Sequence, residues 1–567
     1  MNSTKRCLTV IFIAMNIMLR FASIVFAADN NSTESQVDQI FSEWNTSYSP
    51  GCAVAVFKDN KIEYHQSYGL MDLESKTAIT PNTVFDIGSM SKQFTAACII
   101  LLAEQGELSL TDDIRKYATE FPDYGNTITI QHLLNNTSGI RDYTWLMVLA
   151  RMSFEAQTKR KTEEILNLIS RQDGLQFNPG DEYYYSNSNY FLLGVIIERI
   201  TGITVGEFAD KNIFKPLKMN NTVIHESHSQ IIKNAAKGYV PDPNEHFKFK
   251  QKSIIKGAGG VHSTIMDMFI WDQNFIRSSI GGEDFLSTLT TPAKLNNGKT
   301  VQYACGLEVK NHKGLKTVGH TGYTESFSAN MTRFPDQNIT VVCLANFGGI
   351  RAGRLALKVA DLYLADYIVE AEAPNPTQKP AAIQRTEIEL EPSIIEAYAG
   401  DYRFDFGLLM RFTDEDGRLM MKAGPQPKVE FFPESEDKFF MKAADVQVEF
   451  NKNDSGKVDG ITLYQMGKAM VAKRAAAVKP LTAEEISQFT GEYYCDELMA
   501  TYRVVLKDDK LFVTSTRLDE PLRHVEDEAF AYSRGDITFT KSSENIIVNF
   551  RLEVKSERLS FVFLKRK

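Results

Sequence analysis

The stretch Phe85-Asp86-Ile87-Gly88-Ser89-Met90-Ser91-Lys92-Gln93-Phe94-Thr95-Ala96-Ala97 places a serine three residues before a lysine. Both open an apolar, helix-favouring run that reaches to about Leu102. Residues i and i+3 share a helix face, so Lys92 is set beside the Ser89 hydroxyl. Ser89 falls in the first turn, where unpaired backbone N–H groups and the helix dipole favour developing negative charge. A serine can be made nucleophilic in this way without a catalytic triad.

The same spacing recurs at Ser253/Lys256 and Ser435/Lys438, so the pattern alone selects no site. Its surroundings do. Ser435/Lys438 lies in the charged turn Pro433-Glu434-Ser435-Glu436-Asp437-Lys438, and Ser253/Lys256 precedes a glycine-rich segment. Only Ser89/Lys92 opens an apolar helix after a glycine-containing turn.

The chain has 567 residues, of which 43% are hydrophobic and 24% charged. That is the composition of a soluble globular protein with room for two to four domains of about 150 residues. A net charge of −9 without a long basic run argues against nucleic acid as a partner. At the N-terminus Lys5 and Arg6 precede an apolar run from Leu8 to Phe26 that ends in Ala27-Ala28. This pattern predicts a signal peptide over residues 1–27, cut after Ala27, and hence a secreted or periplasmic protein. Asn16 and Arg20 interrupt the run. No other apolar run reaches the ~18 residues of a membrane span, so no stable span is expected after cleavage. Cys7 leaves with the signal. Cys52, Cys98, Cys305, Cys343 and Cys495 remain, widely spaced. They imply no disulfide framework, and their odd count leaves at least one free thiol or an intermolecular bridge. Cys98 and Cys343 lie in apolar runs and read as core residues.

Along the chain, Cys52–Phe57 and Ile62–His65 read as a hairpin across a polar turn. Thr111 is a candidate helix cap, and residues 128–134, 160–172 and 191–200 read as helices. Thr264 and Asp267 read as a capping box for a helix through Trp271. Strands resume near residues 306–309, 316–322, 326–333 and 339–345, and a helix from 351 to 367 closes the unit. Strands at both ends with helices between predict an α+β fold. Its antiparallel sheet sets the N-terminal hairpin beside the C-terminal strands, flanked by helices and joined to an all-helical region.

This catalytic unit spans residues 35–368, and a proline-rich linker follows at 369–390. Beyond it, short alternating strands dominate, and Tyr398-Ala399-Gly400-Asp401-Tyr402 recurs as Phe489-Thr490-Gly491-Glu492-Tyr493. Each copy follows an acidic helical turn. The repeat predicts two small antiparallel β-barrel domains in tandem, at 391–476 and 480–567.

Five motifs occur in order: Phe85–Ala96, then Ile130-Gln131-His132 through Thr137-Ser138-Gly139-Ile140, then Pro179-Gly180 with Tyr183, Tyr185, Ser186 and Asn187. Gly259-Gly260-Val261 with Ser263, Thr264 and Asp267 follows, and Gly319-His320-Thr321-Gly322 is last. In these the chain resembles the serine β-lactamase and penicillin-binding-protein superfamily. The branch is that of class C β-lactamases, D-Ala-D-Ala carboxypeptidases, D-aminopeptidases and related esterases, a peptidase S12-like group. The resemblance implies a β-lactamase/transpeptidase-like fold, and the tail resembles lipocalin-like barrels. It also implies an acyl-enzyme on Ser89, with Lys92 holding the proton network at a lowered pKa. Tyr185 would act as a base whose phenolate a neighbouring cation favours. Asn187 would orient substrate and Lys92, and the backbone N–H groups of Ser89 and Tyr323 would form the oxyanion hole. His320, Thr321 and Gly322 would complete the substrate-binding strand.

The family's third motif is usually Lys-Thr-Gly. His320 in the lysine place carries only part of a charge near neutral pH, which weakens capture of a substrate carboxylate. Histidine there is familiar in the D-aminopeptidase-like and esterase-like members. The expected activity is therefore a peptidase of D-aminopeptidase or D-Ala-D-Ala carboxypeptidase type. The alternatives are a β-lactamase or carboxylesterase on the same scaffold, or a non-catalytic cell-wall or peptide-binding protein. The expected partner is a small peptide, ester or cell-wall-derived substrate. No cofactor is expected. His132 and His262 read as structural, and His225 and His228 lack a third ligand nearby, so no metal is expected. Oligomeric state is not legible in the sequence.

Overall fold

The computed structural model describes residues 32–152, 162–227, 229–242, 246–250, 256–368, 385–405, 408–423, 427–442, 444–465, 468–475, 481–515 and 518–566. The expected signal peptide lies outside them, as does the linker up to residue 384. The chain divides into two compact units, Met1–Val148 with Met152–Ala371, and Glu372–Lys567 with Leu149–Arg151.

The first unit is built on α1 (Thr33–Ile40), β1 (Cys52–Lys58), β2 (Lys61–Tyr68), α2 (Lys92–Glu104), α3 (Ile130–Leu134), α4 (Asn187–Thr201), α5 (Ile265–Arg277), β3 (Glu308–His312), β4 (Leu315–Tyr323), β5 (Ser328–Phe334), β6 (Ile339–Ala345) and α6 (Ala352–Tyr363). Its six-stranded sheet runs β3-β4-β5-β6-β1-β2, all antiparallel. The N-terminal hairpin thus joins the C-terminal strands through β1 and β6, with Val54 opposite Cys343.

Residues Cys52 to Phe57 are buried without alternation. A central strand covered on both faces has no polar side, which is why its sequence is a continuous apolar run. On one face Val54, Val56, Val341 and Cys343 form a core with Val37 of α1, Phe41 just beyond its end, and Ala356, Val359 and Ala360 of α6. On the other, Phe57 meets Phe269 of α5 edge-on at 5.0 Å. A buried ion pair, Arg333 to Asp272 at 2.7 Å, ties β5 to α5, and the Thr340 hydroxyl donates to the same carboxylate oxygen.

In the helical region α2 is buried from Lys92 to Leu102 and packs against α4, itself buried from Ser188 to Ile197. A helix apolar on every side belongs in an interior. A small three-stranded sheet joins Phe85–Asp86, Val261–Ser263 and Val223–Ile224. It pairs Phe85 with Ser263, setting the approach to Ser89 beside the glycine-rich loop.

Two local expectations fail. Thr111 caps no helix: its hydroxyl pairs with Ser109, and Asp113 instead caps the short turn Ile114–Lys116. Thr264 accepts from the Asp267 N–H, but the Asp267 carboxylate does not return the bond. It accepts from the Asn221 N–H and the Thr222 hydroxyl, a tertiary use that competes with local capping. The helix it starts runs on to Arg277, past Trp271. The helix expected over 191–200 begins four residues earlier, at Asn187.

The second unit holds the two repeats. The first is a closed eight-stranded barrel from Gly400 to Arg474, cored by Tyr402, Phe412, Phe431, Phe439 and Phe450. The second is a nine-stranded antiparallel sheet that is nearly closed. Its end strands, Leu518–Pro521 and Arg523–Glu526, are neighbours in sequence and share no ladder. The sequence repeat is a structural one: Tyr402 donates to the Tyr398 carbonyl at 2.9 Å, and Tyr493 to the Phe489 carbonyl at 2.7 Å.

Candidate active site

Ser89 belongs to a single tight turn, Gly88–Ser91, that runs directly into α2. Gly88 has φ +53°, and a Cβ there would stand 2.8 Å from the Tyr323 nitrogen. Gly322, on β4, faces it: a Cβ would fall 1.9 Å from the Ile87 carbonyl oxygen and 3.3 Å from the Ser89 nitrogen. Two residues without side chains let the end of β4 lie backbone against backbone on the serine turn. The Ser89 and Tyr323 nitrogens are brought together by this contact.

Lys92 is fully buried, and its Nζ meets Ser89 Oγ at 3.1 Å, Asn187 Oδ1 at 2.9 Å and the Ala258 carbonyl at 2.8 Å. Burial lowers its pKa to about 7, with only the Asp142 carboxylate opposing. The Asn187 and Ala258 oxygens can only accept. A neutral amine has two N–H bonds, which those oxygens take, and its lone pair is then left for the Ser89 hydroxyl proton.

Each partner of Lys92 is placed by a different part of the chain. Ala258 comes from the glycine-rich loop. Gly257 there has φ +67°, a Cβ on it would clash with the Tyr190 carbonyl at 2.1 Å, and its own carbonyl accepts from Thr95 at 2.7 Å. Asn187 is the first residue of α4, and its N–H donates to the buried Asp142 carboxylate at 2.5 Å. The Ser188 hydroxyl closes the same join, donating to the Arg141 carbonyl and accepting from the Tyr143 N–H, both at 2.8 Å.

Tyr185 lies against this group, with the Lys92 Nζ 4.9 Å from its ring centroid. Its hydroxyl is buried and completes no hydrogen bond among the described residues. Burial drives its pKa far up, against a weaker pull from the nearby Ser89 hydroxyl. The expected phenolate is therefore overturned. Tyr185 is a neutral phenol, and Lys92 is the group brought into the range of a base.

His320 is buried, and its pKa falls to about 4 through burial and, second, repulsion from Lys92. Its Nδ1–H donates to the Thr321 carbonyl, so Nε2 accepts from the Tyr303 hydroxyl at 3.3 Å. The partial charge expected near neutral pH is absent: the ring is neutral there. Gly322 is buried beside Ser89 as described. Thr321 is exposed, and its methyl would lie 3.1 Å from a Cβ on Gly353 of α6. The Tyr323 side chain is also exposed, so this residue meets the site through its backbone.

The competing matches fall elsewhere. Lys256 pairs with Glu198 at 2.5 Å, and Ser253 lies outside the described residues. The Ser435 hydroxyl donates to Asp437 and accepts from the Lys438 N–H, an ordinary turn. His132 caps its own helix by accepting from the Thr129 N–H, and the His262 ring is buried beside the Gly260 carbonyl. His225 packs on His262 at 5.4 Å, and His228 lies outside the described residues.

Three members of the site carry no motif of their own: Asp142, the Ala258 carbonyl and Tyr303. Asp142 stands just beyond Thr137-Ser138-Gly139-Ile140, so its position was the available signal. Tyr303 is fully buried and sets its ring edge against both Tyr185 and His320, at 6.0 and 5.8 Å between centroids. Nothing in its sequence neighbourhood marks it.

The β-lactamase family model matches residues 37–364, and a domain of unknown function, DUF3471, matches 384–474. Penicillin-binding protein 4* of Bacillus subtilis is 30% identical over 431 residues, which cover 73% of this chain and 92% of that protein. D-aminopeptidase of Brucella anthropi is 29% identical over 324 residues, 56% of this chain and 59% of that protein. In fold, the octameric penicillin-binding protein homologue from Pyrococcus abyssi superposes with a TM-score of 0.55 at 24% identity, over 78% of this chain and 100% of that one. With the matched region spanning the whole Ser89–Lys92–Tyr185 cluster, the chain belongs to the β-lactamase family and is a serine hydrolase.

Proposed function

We propose that the protein is a peptidase that hydrolyses amide bonds of short peptides containing D-amino acids, through an acyl-enzyme on Ser89. The observation that carries this is the three-way contact of the Lys92 amine. Its two forced donations aim the lone pair at the serine hydroxyl. As Ser89 Oγ bonds to the substrate carbonyl carbon, Lys92 takes the hydroxyl proton and the carbonyl electron pair moves onto oxygen. The N–H groups of Ser89 and Tyr323 receive that charge. The neutral phenol of Tyr185 then protonates the leaving nitrogen as the C–N bond breaks, and the Lys92 ammonium returns a proton to Tyr185. Water adds to the ester by the same relay in reverse, releasing the acid and restoring Ser89.

A neutral His320 supports an amide substrate whose recognised end is not a carboxylate. A β-lactam or a D-Ala-D-Ala terminus asks for a fixed cation at that place. The likeness to a D-aminopeptidase points the same way. A carboxylesterase is the second reading, favoured by the aromatic surround of Tyr183, Tyr185 and Tyr303. The intact Ser89, Lys92 and Tyr185 set supports catalysis over mere binding. Turnover of D-Ala p-nitroanilide, p-nitrophenyl acetate and nitrocefin separates the readings. The anilide should be the better substrate per unit kcat/KM relative to its uncatalysed rate, with nitrocefin poorest. Turnover surviving in Ser89→Ala, or a preference for nitrocefin, defeats the proposal.

The same reading includes export. The Lys5/Arg6 start, the apolar run and Ala27-Ala28 support a cleaved signal. Terminal sequencing of the mature protein should begin at Ala28.

A further inference from the structure

The two barrels belong to one compact unit, and between them opens a cleft of about 730 Å³. Arg403, Arg411, Lys457 and Arg474 line it from the first barrel, Arg523 and His524 from the second. Asp401 and Asp459 are the carboxylates among the lining residues. In a chain of net charge −9 this is a local reversal of sign.

The pairing within the cleft leaves positive charge over. Asp401 binds Arg411 through two bonds, at 2.6 and 2.8 Å, and also faces Arg523 at 3.5 Å. Asp536 is shared in the same way by Arg403 at 2.8 Å and Lys555 at 3.2 Å. Asp401 and Asp536 thus each answer two cations. Arg474 donates to the carbonyls of Ala397, Ala399 and Val458, and neither it nor Lys457 makes an ion pair among the described residues. Asp459 is exposed at the rim.

Two polar atoms at the cleft are buried with no hydrogen-bond partner among the described residues, Arg403 Nε and His524 Nδ1. The His524 Nε2–H is already committed to the Asp527 carbonyl at 2.8 Å. A buried guanidinium N–H without an acceptor is costly, and native structures leave few of them. Burial lowers the Arg523 pKa from its ordinary value, with Arg403 and Arg411 adding to the effect and Asp401 and Asp536 opposing it. Crowded guanidinium groups with too few carboxylates are what an oxyanion satisfies, by paired N–H bonds from each fork.

We propose that the seam between the two barrels is a binding site for a small oxyanion of two or more negative charges, bearing phosphoryl or carboxylate groups. Its volume suits a small molecule rather than a single water-sized ion. The ligand bonds to Arg403 and Arg411 on one barrel and to Arg523 on the other, so its binding also fixes the two barrels to each other.

Calorimetric titration of the full chain with pyrophosphate and with citrate, against sodium chloride at matched ionic strength, tests this. Saturable one-site binding is expected for at least one of the two and none for chloride. Preference for pyrophosphate marks a phosphoryl ligand, and preference for citrate a polycarboxylate. Arg523→Gln should weaken binding tenfold or more. Lys457→Met, at an exposed position, should weaken it several-fold with an unchanged circular dichroism spectrum. Binding no stronger than the chloride control, or unchanged in both folded variants, overturns the site.

Discussion

Lys92 and Asn187 stand 95 positions apart and meet at 2.9 Å between Nζ and Oδ1. The contact is made by the first residue of one buried helix reaching the first residue of another. It fixes the direction of the lysine's lone pair, because an amide oxygen can only accept. Asp142 stands behind Asn187 and is the one carboxylate that favours the charged lysine. The chemistry of Ser89 therefore depends on how α4 is pinned as much as on the Ser-x-x-Lys spacing.

The pH profile follows from Lys92. In the proposed mechanism the neutral amine is the base, so kcat/KM should rise with pH along a limb centred at about 7 and fall away below it. Asp142→Asn removes the charge that favours the ammonium, so the limb should move to lower pH. A limb that stays put or moves up contradicts the assignment. Folding also holds Lys92 below its ordinary range, so the unfolded chain binds more protons from about 7 upward to the usual lysine value. Its contribution makes stability rise with pH across that window.

Gly322→Ala should be far more damaging than its size suggests. The added Cβ would stand 1.9 Å from the Ile87 carbonyl oxygen, forcing β4 off the serine turn. Loss of one oxyanion donor alone costs roughly 100-fold or more in kcat. A kcat within a few-fold of the parent enzyme would show that the Tyr323 N–H plays no part.

Arg333→Met should destabilise the first unit by about 3–5 kcal/mol, because it strands a buried carboxylate. Asp272 is 2% exposed and keeps only the Thr340 hydroxyl of its two short bonds at 2.7 Å. Urea denaturation followed by tryptophan fluorescence measures this, since Trp271 neighbours Asp272 on α5. A loss below about 1 kcal/mol would mean that the site collapses or neutralises freely.

The cysteines give a count. Cys52, Cys98, Cys305, Cys343 and Cys495 are all free and buried. Burial also raises the pKa of Cys52, Cys98, Cys305 and Cys495. Native protein should react with no equivalent of a thiol reagent over minutes. After unfolding without reductant, the chain from Ala28 should react with five. Six would mean that Cys7 is retained, and three or fewer that disulfides form.

The order of the motifs and the alternation of strands determined the fold class, the tandem repeat and the positions of Ser89, Lys92, Tyr185, Asn187 and His320. Those are properties of spacing, which the chain carries locally as helix and strand periods. Ionisation was decided by the tertiary structure. The resemblance implied a phenolate at Tyr185 and a partly charged ring at His320, yet burial favours the neutral form of both, helped at His320 by the neighbouring lysine. A pKa depends on how much water and charge surround a group, and that is set by residues such as Asp142, Ala258 and Tyr303 arriving from distant segments. The same holds for Asp267, whose local capping signal was overridden by tertiary partners, and for the barrel seam. Its arginines are scattered along two repeats and gather only when the barrels meet.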